Sequence, residues 1–514
     1  MSPNQQFPNM PADCLYAGLA IAPNATAAIE GDQEITYQEL TDRVEAFALA
    51  LRDQLTQDDK VALCALNNLE HLTAFLAILA AGFTWIPINP KNGKALNQQL
   101  LEVAKPALIL VDLESKNTLP DNTHGARTWL LNDSSESISS LSAPFVGRAF
   151  DKVAPKLDDI MGIKFTGGTT GTPKGVIQTH RNVAAVIDNM QNVFQFTKSD
   201  RNLAVAPLTH GGSHYILPLL AVGGCHLLQS SPDPEKILTA LRQEKASVSF
   251  MPPTLIYKLL DQPDISAEDF PHLRHLTYSA APMPPARIQQ VQRIIGDRIS
   301  TVYGQTEAPM TITAMGPKDL AKPELHASVG KACLHSEVAI LDAAGNSVDP
   351  GESGEVAVRG SIVMPRYFDA PEKTTEAFQG DWLLTGDVGY LNEQNYLFLK
   401  GRSKELIISG GFNVYPAEVE NILIQHPDIS ECAVVGIEDD YWGERVEAAI
   451  CVLDNKDIDI DQLQNSLKAQ LGPVKTPKVF HRLAQLPRNP VGKVVRRDIL
   501  KLIEQANTSE ENQL

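Results

Sequence analysis

The chain has no surplus of positive charge: 44 Lys and Arg stand against 62 Asp and Glu in 514 residues, a formal net charge of −18. That balance argues against a generally basic nucleic-acid-binding surface and so against a nucleic-acid partner. It still allows local clusters, and between Gly472 and Lys501 eight Lys/Arg accompany the single acid Asp498. Cysteine is scarce and scattered: the six (Cys14, Cys64, Cys225, Cys333, Cys432, Cys451) form no C-x-x-C pair. Their spacing argues against a zinc site or a disulfide framework and suits a reducing compartment. No apolar run reaches the roughly twenty residues that a bilayer span requires. Met1–Pro11 lacks the charged-then-apolar order of a secretory signal, and the final Asn-Gln-Leu is not a peroxisomal tripeptide. The expectation is a cytoplasmic protein without an integral membrane segment. Its length predicts a large core and more than one domain. No internal repeat is present.

What is there is strand–helix alternation. Ile35–Tyr37 predicts a short strand and Thr41–Leu55 a helix behind a threonine cap. Val61–Ala65, Thr84–Ile88 and Ala107–Val111 predict strands, with an apolar helix at His71–Ala81. From Leu113 to Leu157 the pattern is aperiodic and reads as surface loops. A second series follows, with strands at Leu203–Pro207, Cys225–Leu228, Ser247–Met251, His275–Ser279 and Ile299–Tyr303. Helices are expected between them at Ile216–Val222, Pro234–Glu244, Thr254–Leu260 and Pro285–Ile295. Such alternation implies parallel sheets covered by helices. Val338–Asp342 and Gly354–Arg359 predict a smaller β-rich piece. The character changes near Gly401, where a compact α+β unit is expected. Asp454–Asp461 reads as a solvated acidic turn and Thr508–Leu514 as a frayed tail.

The stretch Thr166–Val176 reads Thr-Gly-Gly-Thr-Thr-Gly-Thr-Pro-Lys-Gly-Val. Its glycines let backbone N–H groups converge on an anion, its threonine hydroxyls add donors, and Lys174 adds a positive charge. The loop suits phosphate oxygens but is not a Walker A motif, because Pro173 precedes and Gly175 follows the lysine. Tyr303-Gly-Gln-Thr-Glu307 ends a predicted strand, where parallel sheets present ligand-binding groups. Tyr303 offers a stacking face for a base, Thr306 a hydroxyl for a phosphate, and Glu307 a hard carboxylate for Mg²⁺.

Together these stretches resemble the adenylate-forming superfamily of acyl-CoA synthetases, luciferases and peptide-synthetase adenylation domains. The resemblance runs from about Thr36 to Leu500, with five motifs in family order. It implies an α/β plus β-barrel fold: a large N-terminal domain of two αβ layers and a distorted barrel, residues 1–400, and a hinge, 401–404. A small mobile α+β lid, 405–514, would follow. By the same resemblance, Thr166, Gly167, Gly168, Thr169, Thr170, Gly171 and Lys174 would hold ATP phosphates. Ser279, Ala280, Ala281 and Pro282 would form the adenine turn, joined by Tyr303, Gly304, Gln305 and Thr306. Asp387, in Trp382–Tyr390, would accept the ribose hydroxyls, with Arg402 as a second ribose contact.

The resemblance places Lys404 at the hinge and Ser409, Gly410 and Gly411 in the loop lining the CoA pantetheine tunnel. Lys493, in Pro487–Val494, would approach the carboxylate and α-phosphate, so Lys493, Glu307, Thr306 and Lys174 form the expected catalytic set, with Glu307 the metal ligand. His210 and Gly211, with Tyr303 and Gly304, would line the acyl pocket, His210 as a gate or as a hydrogen-bonded capping histidine. No Asp lies between Leu203 and Pro218, where amino-acid-activating relatives pair with a substrate ammonium. The Gly211-Gly212 and Ala280-Ala281 pairs predict room for a medium-chain or aromatic acid.

The implied reaction joins a carboxylic acid to CoA through an acyl-adenylate, with ATP and Mg²⁺. The alternatives are loading of a separate carrier protein's thiol, or an inactive nucleotide-binding sensor.

Overall fold

The computed structural model describes residues 10–133, 137–166, 173–453, 456–489 and 493–511. The calls on Gly167, Gly168, Thr169, Thr170 and Gly171 therefore lie outside the described residues.

A six-stranded sheet has the order Arg127–Leu130, Leu108–Val111, Lys60–Cys64, Thr84–Pro87, Ile160–Thr166, Lys174–Thr179. All its pairings are parallel except the last, in which Thr166 lies opposite Lys174. The chain thus leaves and re-enters this sheet's edge around the glycine–threonine loop. A second, 14-stranded sheet contains the parallel series Thr26–Glu30, Cys225–Leu228, Arg201–Ala204, Val248–Met251, His275–Tyr278 and Ile299–Gln305. It then turns antiparallel through Ala308–Met315, Ser328–Ala332 and Leu397–Arg402. The expected β-rich piece continues this sheet, since Leu397–Arg402 pairs with Trp382–Leu391, and that strand with Gly354–Arg359.

Several boundaries differ from the sequence pattern. The first long helix starts at Tyr37, not Thr41, because Thr36 and Glu39 close a reciprocal capping box. His180–Phe194 is a helix for which the sequence pattern carried no expectation; Thr179 and Asn182 cap it in the same way. The stretch expected as loops contains the strand Arg127–Leu130 and the helix Ile138–Ser142. A helical segment, Ile460–Lys475, starts within the acidic run, capped by Asp459, and is broken at Gly472 before Pro473. The last helix, Arg496–Glu511, runs into the expected tail.

The core lies between the two large sheets, where Trp85, Tyr37, Phe47 and Tyr215 are fully buried. Buried Asn67 joins them: its amide donates to the carbonyls of Ala204 (2.9 Å) and Ala206 (3.0 Å) and accepts from Leu208 N–H (3.0 Å). These bonds fix the strand end that leads to His210. From Ile407 onward a five-stranded sheet forms its own core with Val419, Leu423, Ile450 and Leu467. Among the described residues no helix is long and apolar enough to cross a membrane.

Candidate active site

The carboxyl ends of the parallel strands Arg201–Ala204, His275–Tyr278 and Ile299–Gln305 lead into the His210, Ser279 and Tyr303 stretches respectively. Open α/β sheets bind ligands along this edge. Gly304 allows a tight reversal there, since a Cβ would lie 2.6 Å from the Met310 nitrogen. The turn after Tyr278 is strained, with Ala280 at φ +71°, a value that a small side chain tolerates better than a bulky one. Ala280, Ala281 and Pro282 are exposed.

Two clusters converge on the Tyr303–Glu307 turn. In the first, the buried Tyr303 hydroxyl donates to Asp387 Oδ2 at 2.5 Å. Arg402 Nε binds Asp387 Oδ1 at 2.8 Å, and its Nη1 donates to the Thr385 carbonyl at 3.2 Å. The antiparallel pairing of Asp387 with Arg402 sets this geometry. Burial raises the Asp387 pKa, opposed by Arg402, the Tyr303 hydrogen bond and Lys493. Lys493 comes from a different part of the fold, beside a short bridge between Arg488 and Val494. The residue as a whole is exposed, yet its ammonium is partly desolvated by its surroundings. This lowers its pKa together with repulsion from Arg402, while Glu405 and Asp387 oppose the shift. Lys493, Arg402 and Asp387 therefore share one electrostatic neighbourhood.

In the second cluster, the Tyr367 hydroxyl donates to Glu307 Oε1 at 2.8 Å. Lys174 Nζ lies 5.1 Å from the centroid of the same tyrosine ring. Gln178 donates to the Thr306 carbonyl at 3.0 Å. Tyr367 is pinned beside the strand Lys174–Thr179 by a bridge to Val176. Sequence reasoning missed Tyr367 and Gln178, because neither belongs to a glycine-bearing motif and their partners are 60 and 128 positions away. The only cue for Gln178 was a polar residue in an apolar strand.

His210 is followed by a 3-10 helix, Gly211–Tyr215, and its Nδ1 lies 2.9 Å from Thr209 Oγ1. Burial, with the nearby Lys164 charge, lowers its pKa to about 4. The room expected at Gly211-Gly212 is not there. A Cβ on Gly211 would lie 2.7 Å from the Phe250 ring, and one on Gly212 would lie 2.4 Å from the Ala206 carbonyl. These glycines serve close packing, not substrate bulk. Lys404 is exposed in the 3-10 turn Ser403–Glu405. Ser409, fully buried, ends the strand Ile407–Ser409, and Gly410 and Gly411 make the two-residue turn to Phe412–Val414. No hydrogen bond joins this turn to the two clusters among the described residues; Gly410 N–H donates to the Trp442 carbonyl at 2.7 Å.

Glu307 can be tested as an Mg²⁺ ligand. Among the described residues no group of three or more His, Cys, Asp or Glu is placed to hold a metal. Mg²⁺ usually binds one or two protein carboxylates plus phosphates and waters. A single carboxylate steadied on one oxygen by Tyr367 fits that requirement.

Comparison with known proteins follows the same outline. The model of the AMP-binding enzyme family matches residues 18–368, and that of the AMP-binding enzyme C-terminal domain matches 418–493. A medium/long-chain-fatty-acid–CoA ligase of Mycobacterium tuberculosis is 30% identical over 485 residues, 90% of this chain and 85% of that protein. A feruloyl-CoA synthase of Amycolatopsis sp is 31% identical over 496 residues, 93% of this chain and 96% of that protein. The solved structure of ATP-bound MatB from Rhodopseudomonas palustris is 28% identical, with a TM-score of 0.88, covering 95% of this chain and 98% of that one. Its apo form gives 0.79.

Proposed function

From the premise that the chain belongs to the AMP-binding enzyme family, as an acyl-CoA synthetase of the adenylate-forming superfamily, we propose that it is an ATP-dependent carboxylic acid–CoA ligase. In the first half-reaction a carboxylate oxygen attacks the α-phosphorus of ATP, and pyrophosphate leaves. In the second, a CoA thiol attacks the acyl carbon, its proton is lost, and AMP leaves. Both reactants of the first step are anions, so catalysis is mostly positioning and electrostatic stabilisation.

The observation that carries this reading is that Lys493 lies near enough to Asp387 and Arg402 for their charges to act on one another. A lysine from beyond residue 400 then stands beside the candidate ribose carboxylate, where it can offset charge on the α-phosphate. Asp387 has both oxygens engaged by protein donors, yet a carboxylate offers about four lone-pair sites, leaving acceptors for two ribose hydroxyls. Tyr303 would flank the adenine and the Ser279–Pro282 turn its edge. Thr166 and Lys174 bracket the phosphate loop, and Thr306 faces the α-phosphate. Glu307 would hold Mg²⁺, which supplies charge neutralisation across the phosphate oxygens.

The 1–400 and 405–514 units would be separated at the 401–404 hinge. The better match to ATP-bound than to apo MatB supports a lid posed for adenylation. Thioesterification would then require Lys493 to leave and the Ser409–Gly411 turn to approach, by rotation about Lys404. His210 and Gly211 would wall the acyl pocket with Tyr303 and Gly304. Six unpaired thiols agree with a cytoplasmic setting. Pyrophosphate release from ATP with a panel of carboxylic acids, followed by thioester formation on adding CoA, tests the proposal. Absence of pyrophosphate with every acid refutes it.

A further inference from the structure

Lys164 is buried, at 8% exposure, and no acid pairs with it among the described residues. Its Nζ lies 3.1 Å from Ser213 Oγ and 3.2 Å from His214 Nε2, with the Trp85 ring centroid at 5.3 Å. These groups border a cavity of about 10 Å³, space for about one water or one carboxylate oxygen. The other walls are mostly apolar, including Phe75, Met161, Val186, Ile187 and Leu217. A buried ammonium without a counter-charge is costly, and such groups are retained where something pairs with them.

Two of the cavity's lining residues are hydrogen-bonded to the candidate reaction centre. Gln178 lines the cavity and also donates to the Thr306 carbonyl. Ser213 and His214 lie on the turn that begins at His210, and Ser213 Oγ donates to the His210 carbonyl at 2.7 Å.

Resting on the ligase reading above, we propose that Lys164, with Ser213 and His214, binds a second carboxylate at the far end of the acid, so that the preferred substrates are dicarboxylic acids. The tail carboxylate takes the ammonium's remaining hydrogen-bonding position, with Ser213 and His214 holding the ammonium in place, while the other carboxylate faces the α-phosphate. Lys164 is then a specificity-determining residue, remote from the bond being made.

Pyrophosphate release is measured with α,ω-dicarboxylic acids and with monocarboxylic acids of equal carbon number. The wild type is expected to favour the diacid at least tenfold in kcat/KM at its best length. Lys164→Met should lose about a hundredfold on that diacid, mainly through KM, and gain on the matched monoacid. A wild type that prefers the monoacid at every length overturns the inference and leaves the ligase reading standing. A Met variant that loses equally on both acids also overturns it, since Lys164 would then hold the reacting carboxylate or the fold. No release with any acid overturns both readings.

The wild type alone supplies a second measurement. Burial lowers the Lys164 pKa to about 7. The other titratable groups facing it, His210 and His214, are held neutral in this range by burial and by the lysine itself. KM for the diacid should therefore rise about tenfold per pH unit above 7, while that for the monoacid stays flat. Parallel profiles for the two acids overturn the assignment.

Discussion

Lys164 should weaken the fold that contains it, and the cost should depend on pH in a direction the burial dictates. In the unfolded chain its pKa is 10.5, and in the folded one about 7, lowered by desolvation. At pH 7 the unfolded state binds almost one proton at this site and the folded state about half of one. Integrating that difference gives a penalty of roughly 4 kcal/mol at pH 7, falling to roughly 1 kcal/mol at pH 9.5. A lysine with depressed folded pKa thus destabilises most at low pH, and the loss is recovered as pH rises toward 10.5. Methionine has similar length and no charge, so Lys164→Met keeps the packing against Phe75 and Trp85 and removes the penalty.

Thermal melts of the two proteins, run side by side at pH 7 and pH 9.5 without ligands, provide the assay. The variant is expected to melt higher by several degrees at pH 7, with the gap more than halved at pH 9.5. The parallel comparison cancels the growing repulsion within this acidic chain at high pH. An equal gap at both pH values, or a variant that melts lower at pH 7, would refute the claim that an unpaired charge is buried here.

Lys493→Ala should reduce adenylate formation by at least a hundredfold while leaving thioesterification of supplied acyl-AMP within a few fold; equal losses would remove it from the first step. Tyr367→Phe deletes the donor to Glu307, a hydrogen bond to a charged group worth about 1.5–3 kcal/mol. The Mg²⁺ concentration for half-maximal rate should rise roughly tenfold or more, and an unchanged Mg²⁺ titration would detach Tyr367 from the metal. Lys404→Pro fixes φ in an exposed turn and should slow CoA transfer more than adenylation, read by separate half-reaction assays. Unaltered CoA transfer would take the hinge away from Lys404.

The parts of this molecule that were legible in the sequence are those in which local chemistry fixes local structure. Short apolar or β-branched runs marked most of the parallel strands to within two or three residues, though not Thr26–Glu30 or Arg127–Leu130. Glycine, threonine and tyrosine at strand ends marked the turns that face the nucleotide edge. The helix His180–Phe194 escaped because its apolar face follows immediately on a strand, so one period runs into the other. Distant pairings were not legible. Nothing near Tyr303 announces that its hydroxyl is committed to Asp387, 84 positions later. Gly211 and Gly212 illustrate the opposite error: glycine reads as free space in a sequence, but here Phe250 and the Ala206 carbonyl have already taken it.

Lys164 joins these two lessons. By pattern it is a polar interruption in the otherwise largely apolar strand Ile160–Thr166, which has a neighbour on each side. What makes it unusual is supplied from three other places in the chain: Trp85 on the adjoining strand, His214 on the turn behind the acyl pocket, and Gln178 across the hairpin. Each is ordinary alone. Brought together around one ammonium, with no carboxylate among the described residues beside it, they leave a charge that the proposed diacid would pair. The adjoining Thr306 carbonyl puts that gap one side chain from the candidate adenylation centre. Selectivity for the acid would thus be written in a strand that leads into the proposed phosphate loop, coupling the two ends of the substrate through one sheet.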